Sequence, residues 1–339
     1  MLVSHLKYLV APVTAIALLT SCAGGSSMPT TPNTVQQNQS HAHPNASCPC
    51  LYVANYGSNS VVVFASGATG NVAPIQRISG SKTGLREPIS VAVDASGIIY
   101  VANYDYPSGS GFVTVYAAGA NGNAKPIQTI SGSNTGISGP LGIALDPVNG
   151  NIYLTNQFAD SVTIYPSNAT GNVAPIGTIA GSNTGFSIPW GLALDPSGNI
   201  YVSNYSSNDV VVFSAGATGN VAPADTIAGS NTGMNNPTQL ALDASENIYV
   251  ANQTYNSLTV FASGSNGNVA PTRIIAGSAT KLSVPDGIAL DSSGDVYAAN
   301  SATKAVTVYA PGTKEDVRPI NTIKGNLTKL SNPHGLAIR

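Results

Sequence analysis

The sequence predicts an all-β protein, a six-bladed β-propeller built from four-stranded antiparallel blades. Three observations support this prediction: a strand motif that recurs six times, a spacing of 48 residues between most copies, and four short apolar runs in each repeat. The motif reads Tyr-x-x-Asn, and its six asparagines are Asn55, Asn103, Asn156, Asn204, Asn252 and Asn300. One interval, from Asn103 to Asn156, is 53 residues long, which indicates a local insertion. A period near 48 residues is typical of a propeller blade.

Four runs rich in β-branched and aromatic residues occur in each repeat, as in residues 192–195, 200–203, 210–213 and 224–227. Clusters of Gly, Asn, Ser and Pro separate these runs, as expected of strands joined by turns. The runs are almost continuously apolar, which indicates sheets that neighbouring sheets cover on both faces. A parallel β-solenoid also buries its strands, but its coils are shorter than this repeat and lack hairpin turns.

A second motif, Pro-x-Gly-Ile/Leu-Ala-Leu-Asp, also occurs six times. It stands at 140–146, 189–195 and 285–291, with variants at 88–94, 237–243 and 333–339. The repeats begin with a Tyr-x-x-Asn strand and end with a Pro-x-Gly strand, so the two ends of the domain each supply part of one blade. We therefore expect residues 333–339 to pair beside residues 51–55 and close the ring, which removes an open sheet edge.

These motifs resemble the NHL-type and YVTN-type repeats of extracytoplasmic β-propellers. The resemblance rests on Pro-x-Gly-Leu-Ala-Leu-Asp, Gly-Asn-Ile-Tyr-Val and Val-Val-Val-Phe, and it extends over residues 51–339. It implies a six-bladed architecture similar to that of the gluconolactonase-like superfamily. Propellers of this group include enzymes, glycan binders and adhesion modules, so the resemblance implies a fold without implying one function.

The N-terminal residues predict export. Lys7 precedes an apolar run at 8–19 that is too short for a permanent membrane span. Leu19-Thr20-Ser21-Cys22 resembles the bacterial lipobox, which implies a lipoprotein signal peptide at 1–21 and lipidation of Cys22. The expected location is the bacterial cell envelope, extracytoplasmic and anchored in the membrane by lipid. Ala23 after the cysteine would permit transfer to the outer membrane if the cell has one. An ordinary signal peptide with an incidental cysteine is the alternative.

Residues 22–50 carry the lipidated cysteine and a segment rich in Ser, Thr, Asn, Gln and Pro, which we interpret as a flexible linker. His41 and His43 lack a preorganised third ligand for a metal. Cys48 and Cys50 flank one proline, so a disulfide between them would be strained, and we leave their redox state open.

Composition excludes one class of partner. Charged residues make up 8% of the chain, against roughly 25% in an average soluble domain. With 13 Lys and Arg against 15 Asp and Glu, the formal net charge is -2. Nucleic-acid binding depends on basic residues that neutralise phosphates, so we expect no nucleic-acid partner.

Candidate ligand contacts follow from the position after each repeat's proline, which begins the innermost strand at the channel mouth. Around the ring this position holds Ile89, Leu141, Trp190, Thr238, Asp286 and His334. One half of the mouth is therefore apolar and the other polar, and we predict Trp190, Thr238, Asp286 and His334 as ligand-binding residues. The alternative is that drift among repeats has scattered these residue types.

An enlarged loop adds two more candidates. Asn103 and Tyr116 are separated by 13 positions, whereas the corresponding spacing in three other repeats is 9. The inserted loop contains Tyr104 and Tyr106, and Tyr56 and Tyr205 occupy related positions. Aromatic side chains among neutral amides suit sugars or peptides through stacking and hydrogen bonds. Packing of tyrosines within the turns is the alternative.

Two repeated polar positions are interpreted as structural. Five aspartates precede turns in which an aspartate can bind its own backbone: Asp94, Asp146, Asp195, Asp243 and Asp291. The six repeated asparagines begin the next turn, so we expect them to cap it and assign them no catalysis.

The enzymes that this fold resembles imply a metal that this sequence does not readily hold. Gluconolactonase-like propellers use several acidic and Asn ligands, and streptogramin-lyase-like propellers use a His with a metal. Asp286 is the one acidic residue at the six mouth positions, and a hard cation prefers more oxygen ligands. We expect no metal and no cofactor. The main hypothesis is a binding or scaffolding module for a protein, peptide or glycan. The alternative is a propeller-type lyase or lactone hydrolase with Asp286 and His334 at its centre.

Overall fold

The computed structural model describes residues 50–106 and 108–339, and in this part of the chain 24 β-strands form six four-stranded antiparallel sheets. Each sheet is a blade of a ring, because each innermost strand packs against the innermost strands of the two neighbouring blades. The fold prediction is confirmed. The predicted signal peptide, Cys22 and the predicted linker up to residue 49 lie outside the described residues. Within the described residues, no helix is long and apolar enough to cross a membrane.

We number the blades from the N-terminal side and give each blade's strands from the innermost outward. Blade 1 contains β24 (Pro333–Ile338), β1 (Cys50–Asn55), β2 (Ser60–Ala65) and β3 (Gln76–Ile78). Blade 2 contains β4 (Pro88–Val93), β5 (Ile99–Asn103), β6 (Phe112–Tyr116) and β7 (Gln128–Ile130). Blade 3 contains β8 (Pro140–Leu145), β9 (Ile152–Asn156), β10 (Ser161–Tyr165) and β11 (Gly177–Ala180).

The remaining blades follow the same order. Blade 4 contains β12 (Pro189–Leu194), β13 (Ile200–Asn204), β14 (Asp209–Phe213) and β15 (Asp225–Ile227). Blade 5 contains β16 (Pro237–Leu242), β17 (Ile248–Asn252), β18 (Ser257–Phe261) and β19 (Arg273–Ala276). Blade 6 contains β20 (Pro285–Leu290), β21 (Val296–Asn300), β22 (Ala305–Tyr309) and β23 (Asn321–Lys324). Three single-turn 3₁₀ helices occupy Tyr56–Ser58, Ser278–Thr280 and Asn326–Thr328.

The C-terminal strand closes the ring as predicted. β24 pairs antiparallel with β1, placing Leu51 opposite Ile338 and Val53 opposite Leu336. The backbone of Cys50 extends this pairing through two hydrogen bonds with Arg339, at 2.6 and 3.1 Å. The first strand thus begins one residue before the expected boundary at residue 51. With β24 in place, blade 1 has four strands, as every other blade does.

The core is divided among the six interfaces between adjacent blades. Each interface holds one cluster of buried apolar residues drawn from two blades, such as Val210 and Ile227 of blade 4 with Leu240 and Val250 of blade 5. All residues of most second and third strands are buried. This explains why these strands are apolar along their whole length instead of alternating.

A loop segment of each blade covers the outer edge of the blade before it. Residue 122 lies beside Ile78 in a single parallel bridge, and the Asn123 Oδ1 accepts a hydrogen bond from the Lys82 amide at 2.7 Å. The same contact recurs at all six interfaces and includes the closing one, where residue 70 lies beside Ile323. Because an uncovered outer strand would be open to pairing with another chain, this loop protects the ring's circumference.

The repeated aspartates act in their turns as predicted. The Asp195 Oδ1, for example, accepts hydrogen bonds from the Ser197 and Asn199 amides, both at 2.9 Å. The repeated asparagines do something different from the expected capping of the next turn. The Asn103 Oδ1 accepts a hydrogen bond from the Arg86 amide at 3.0 Å, in the loop that enters the innermost strand. Asn103 is fully buried, and this loop packs over it. The hydrogen bond to the Asn103 side chain therefore holds the loop in place.

Candidate functional site

In every blade, the same backbone hydrogen bond joins two loops at the channel mouth. The residue before each repeat's proline has a positive φ, and its carbonyl accepts a hydrogen bond from the amide that follows the repeat asparagine. In blade 4 the Tyr205 amide donates to the Ile188 carbonyl at 3.0 Å, and in blade 6 Ser301 donates to Val284 at 3.1 Å. A left-handed conformation is costly for β-branched residues such as Ile188 and Val284.

The second residues of the innermost strands, each directly after the proline, divide the mouth into two halves, as the sequence order suggests. Ile89 and Leu141 are buried, and the half-buried Trp190 packs against the same apolar cluster. The other half holds Thr238, Asp286 and His334, of which the first two are buried. The Thr238 hydroxyl donates to the carbonyls of Ala251 (3.2 Å) and Pro285 (3.0 Å). It therefore joins blade 5 to blade 6 within the wall of the mouth.

Asp286 and His334 lie side by side on neighbouring blades. The His334 Nδ1 is 3.6 Å from the Asp286 Oδ2, and the two side chains are 13% and 1% exposed. This imidazole nitrogen is buried and has no hydrogen-bond partner among the described residues. Burial lowers the pKa of His334 below its usual 6.5, although the nearby Asp286 carboxylate opposes this effect. The imidazole is therefore neutral at pH 7.

A chain of contacts links this pair to Trp190 on the opposite side of the mouth. The Gln253 Nε2 donates to the Asp286 Oδ1 at 2.7 Å, and the Tyr205 hydroxyl donates to the Gln253 Oε1 at 2.8 Å. The Tyr205 ring stacks on Trp190 with 5.0 Å between ring centroids. The nitrogen and the oxygen of the Gln253 side-chain amide thus each have a hydrogen-bond partner, which fixes the orientation of the amide.

Tyr56 completes the arrangement on the far side of His334. Its ring lies 5.3 Å from the imidazole, measured between centroids. Burial and the nearby Glu87 carboxylate raise the pKa of Tyr56 to about 12, so its hydroxyl keeps its proton. We call the six residues in this row the mouth cluster: Trp190, Tyr205, Gln253, Asp286, His334 and Tyr56. They come from blades 4, 5, 6 and 1 and combine aromatic rings, one amide, one carboxylate and one imidazole.

Tyr104 and Tyr106, predicted from the enlarged loop of blade 2, lie on the same face beside this cluster. Tyr104 is half-buried, and its hydroxyl accepts a hydrogen bond from the Gln157 Nε2 at 2.6 Å. Tyr106 is 62% exposed. The structure therefore places Tyr104 and Trp190 against one shared apolar cluster, and it places Tyr106 further out at the rim.

The mouth does not fit a catalytic metal. Asp286 and His334 offer two donors, and Asp286 already accepts a hydrogen bond from Gln253. Among residues 50–106 and 108–339, no three His, Cys, Asp or Glu side chains come together as a metal-binding group. A cation such as Ca²⁺ or Mg²⁺ needs about six oxygen ligands. We therefore derive no chemistry through a metal at this site.

Sequence reasoning missed the residues that connect the candidates. Gln253 and Gln157 were not selected, although each directly follows a repeat asparagine and so occupies the position of Tyr56, Tyr104 and Tyr205. Reading this second ring position in the same way as the first would have found them. The connection itself depends on contacts between blades, which a repeat pattern does not specify.

The sequence matches the model of one protein family, described as a lactonase with a seven-bladed β-propeller, over residues 27–231. That range is more than half of the chain. The described residues form six blades and not seven, because the chain contains six copies of each strand motif. Comparison with curated protein sequences gives no match.

Three solved structures share the architecture. A chain of the nidogen/laminin complex is 14% identical, with a TM-score of 0.62 over 86% of this chain and 98% of that chain. The periplasmic gluconolactonase of Pseudomonas aeruginosa is 17% identical, with a TM-score of 0.55 over 86% and 99%. Virginiamycin B lyase of Staphylococcus aureus is 13% identical, with a TM-score of 0.52 over 76% and 75%. At these identities the likeness concerns the fold alone.

Proposed function

The chain belongs to the lactonase family of β-propellers, and from this premise we propose that its channel mouth binds a neutral, hydroxyl-rich ring such as a sugar or a sugar lactone. The observation that carries the proposal is the mouth cluster. It places the half-buried Trp190 and Tyr205 rings beside the amide of Gln253 and the Asp286–His334 pair. A flat aromatic surface next to oriented hydrogen-bonding groups suits a sugar ring, whose faces are apolar and whose edges carry hydroxyls.

Of the protein, peptide and glycan ligands suggested by the sequence, a glycan fits the mouth best. The cluster contains one carboxylate, which is buried, next to an imidazole that is neutral at pH 7. A charged peptide would gain little from such a site, since ionic contacts need accessible partners. Hydroxyl groups, in contrast, can both donate to and accept from amides and carboxylates.

Calorimetric titration with glucose and with glucono-1,5-lactone tests this proposal. We expect saturable binding by the wild type and an affinity weaker by about fivefold or more in Trp190→Ala, because a stacked ring contributes about 1 kcal/mol or more. Tyr255→Ala is the control, since Tyr255 is an exposed aromatic residue in the loop between the second and third strands of blade 5. Equal affinities in all three proteins would contradict binding at the mouth.

Lactone hydrolysis is a second candidate, favoured by the neutral imidazole of His334, whose Nδ1 has no hydrogen-bond partner among the described residues and lies 3.6 Å from the Asp286 Oδ2. In this reaction the imidazole accepts a proton from water while the water oxygen bonds to the lactone carbonyl carbon. The ring C–O bond then breaks, and the proton passes to the departing ring oxygen, which gives the open-chain hydroxy acid. Asp286 stabilises the transient imidazolium, and Gln253 holds the carboxylate in place.

Acid release from glucono-1,5-lactone, measured as the base needed to hold the pH constant, distinguishes catalysis from binding. A hydrolase should exceed the spontaneous rate, and His334→Gln should lower the turnover about 100-fold or more while the lactone still binds. If the wild type binds the lactone without accelerating its hydrolysis, the proposed binding function stands and the proposed enzymatic function is wrong.

We also propose that the protein acts outside the cytoplasm, held on the cell envelope by lipid at Cys22. The support is the sequence alone: the apolar run at 8–19, the residues Leu19 to Cys22 that resemble a lipobox, and the linker-like composition of residues 23–49. A tether of this kind would present the propeller to envelope glycans at a distance from the membrane.

A further inference from the structure

A second aromatic surface lies at the rim of the mouth, and we call its three residues the rim platform: Tyr104, Tyr106 and Phe158. The Tyr104 and Tyr106 rings are almost parallel, with 4° between their planes and 6.1 Å between their centroids. The Phe158 ring lies 6.2 Å from that of Tyr104. Tyr106 and Phe158 are 62% and 57% exposed, so two of the three rings face solvent.

The loop that carries Tyr106 is held in place by an internal network. The Asp105 carboxylate is bound by Arg86 Nη1 at 2.8 Å and by the Ser108 hydroxyl at 2.9 Å. The Tyr106 amide donates to the Glu87 carboxylate at 2.6 Å. A preorganised surface loses little conformational entropy when a ligand binds to it. These hydrogen bonds hold Asp105, Tyr106 and Ser108, and Tyr106 presents its ring to solvent.

Phe158, the third residue of the rim platform, belongs to blade 3 and packs against it. Phe158 follows Gln157, whose side chain donates to the Tyr104 hydroxyl. The Phe158 ring lies so close to Gly139 that an added Cβ there would be 2.5 Å from the ring, well inside van der Waals contact. The exposed ring therefore rests on the backbone of its own blade while its outer face stays open.

The rim platform is continuous with the mouth cluster. Tyr104, Tyr56 and Trp190 all pack against one apolar cluster that contains Ile89 and Leu141. The charges near the platform are engaged, because Asp105 pairs with Arg86 and Glu87 accepts from the Tyr106 amide. A ligand that extends from the mouth toward blades 2 and 3 would therefore meet aromatic rings and hydroxyls, with one salt bridge and one hydrogen-bonded carboxylate beside them.

We propose that the rim platform is a second subsite, which stacks a further ring of a neutral oligosaccharide whose first ring occupies the mouth cluster. This inference rests on the proposed function and names its ligand class as a saccharide of at least two linked rings. Sugar rings present C–H faces to aromatic side chains, and successive rings of a chain can occupy successive aromatic surfaces. Exposed aromatic side chains beside a binding site are the feature expected of such an extended groove.

Calorimetry with cello-oligosaccharides and chito-oligosaccharides of one to six units tests this subsite. For the wild type we expect affinity to rise about tenfold or more once the chain is long enough to reach the platform. Tyr106→Ala should remove this gain and leave the affinity for the single sugar unchanged. Tyr255→Ala, which removes a tyrosine of similar exposure (59%) in blade 5, should retain the gain.

The possible failures are distinguishable. Binding of the single sugar with no increase along either series would overturn the second subsite and leave the proposed function intact. Equal weakening of all lengths by Tyr106→Ala would also overturn it, since the tyrosine would then act on the mouth itself. Absence of saturable binding in both series would overturn the proposed function together with the subsite.

Discussion

Ser90 and Gln239 form a hydrogen bond across the axis of the propeller, with 2.8 Å between the Gln239 Nε2 and the Ser90 Oγ. They belong to blades 2 and 5, which lie opposite each other in a ring of six. The equivalent residue in the other four blades is glycine, where an added Cβ would strike the next innermost strand. Those glycines are Gly142, Gly191, Gly287 and Gly335. The central channel is therefore crossed by one hydrogen bond beneath the mouth.

This bond should be measurable as an energetic coupling between opposite blades. Gln239 is 8% exposed, so loss of Ser90 leaves its amide short of a partner and costs about 1 kcal/mol of unfolding free energy. A double-mutant cycle with Ser90→Ala and Gln239→Ala should show a coupling of about 0.5–1.5 kcal/mol in denaturant unfolding. Ser90→Ala combined with Gln157→Ala should be additive. Additivity in the first pair would mean that the bond across the axis contributes nothing.

A buried amide in blade 1 lacks the partner that four other blades provide. Within residues 50–106 and 108–339 the buried Asn55 Nδ2 has no hydrogen-bond partner, and Val62 stands where those blades carry a threonine that accepts a hydrogen bond. The threonines are Thr114, Thr163, Thr259 and Thr307, at 2.9–3.0 Å from their asparagines. Val62→Thr should therefore raise the unfolding free energy by about 1 kcal/mol, measured by denaturant titration.

Blade 4 supplies the matched control for this substitution, because it also has a valine, Val211, at the same position. There the Asn204 Nδ2 already donates to the Asp209 Oδ1 at 2.6 Å. Val211→Thr should bring no gain in stability. If both substitutions change stability equally, the effect does not come from the unpaired amide.

The buried imidazole of His334 predicts a dependence of stability on pH. Its pKa in the folded protein lies below the usual 6.5, so between these two values the unfolded chain binds more protons than the folded one. This contribution to stability is therefore fully present above pH 6.5 and is lost as the pH falls from 6.5 through the lower pKa of the folded protein. His334→Gln should show a shallower decline between pH 7 and about 5 in thermal or denaturant unfolding. Parallel curves for the two proteins would contradict burial of a neutral imidazole.

The proposed lipidation of Cys22 predicts where the protein fractionates. Cys22→Ala should move the protein from the membrane fraction to the soluble fraction and remove the lipid mass from the N-terminal peptide, because the acyl chains supply the anchor. Serine substitution of Cys48 is the matched control and should leave fractionation unchanged. Membrane association of Cys22→Ala, with no lipid detected in the wild type, would exclude the anchor.

The architecture could be predicted from the sequence because its determinants repeat. Six copies of two strand motifs specified the blade number, and the incomplete first and last copies specified closure by β24. The aspartate turns were also predictable, since an Asx turn depends on residues within four positions of one another, as at Asp195. These features are either local or periodic, and both kinds can be recognised in a single amino-acid sequence.

The site was predictable only in part. Trp190, Asp286 and His334 share one register position, so the repeat pattern selected them. The links between them were not predictable, because Gln253 joins Tyr205 to Asp286 through side chains that project from three different blades. The bond between Ser90 and Gln239 likewise depends on the distance across the ring, which is set by the packing of all six blades.

The central claim is that the ligand binds at the mouth cluster, and the fluorescence of Trp190 tests it most directly. The chain has one tryptophan, so any change in its emission reports on this position alone. We predict a saturable change on titration with glucose, glucono-1,5-lactone or cello-oligosaccharides, shifted to at least tenfold higher concentration by Gln253→Ala and unaffected by Tyr255→Ala. Binding that calorimetry detects while Trp190 emission stays constant would contradict the claim and place the ligand elsewhere on the propeller.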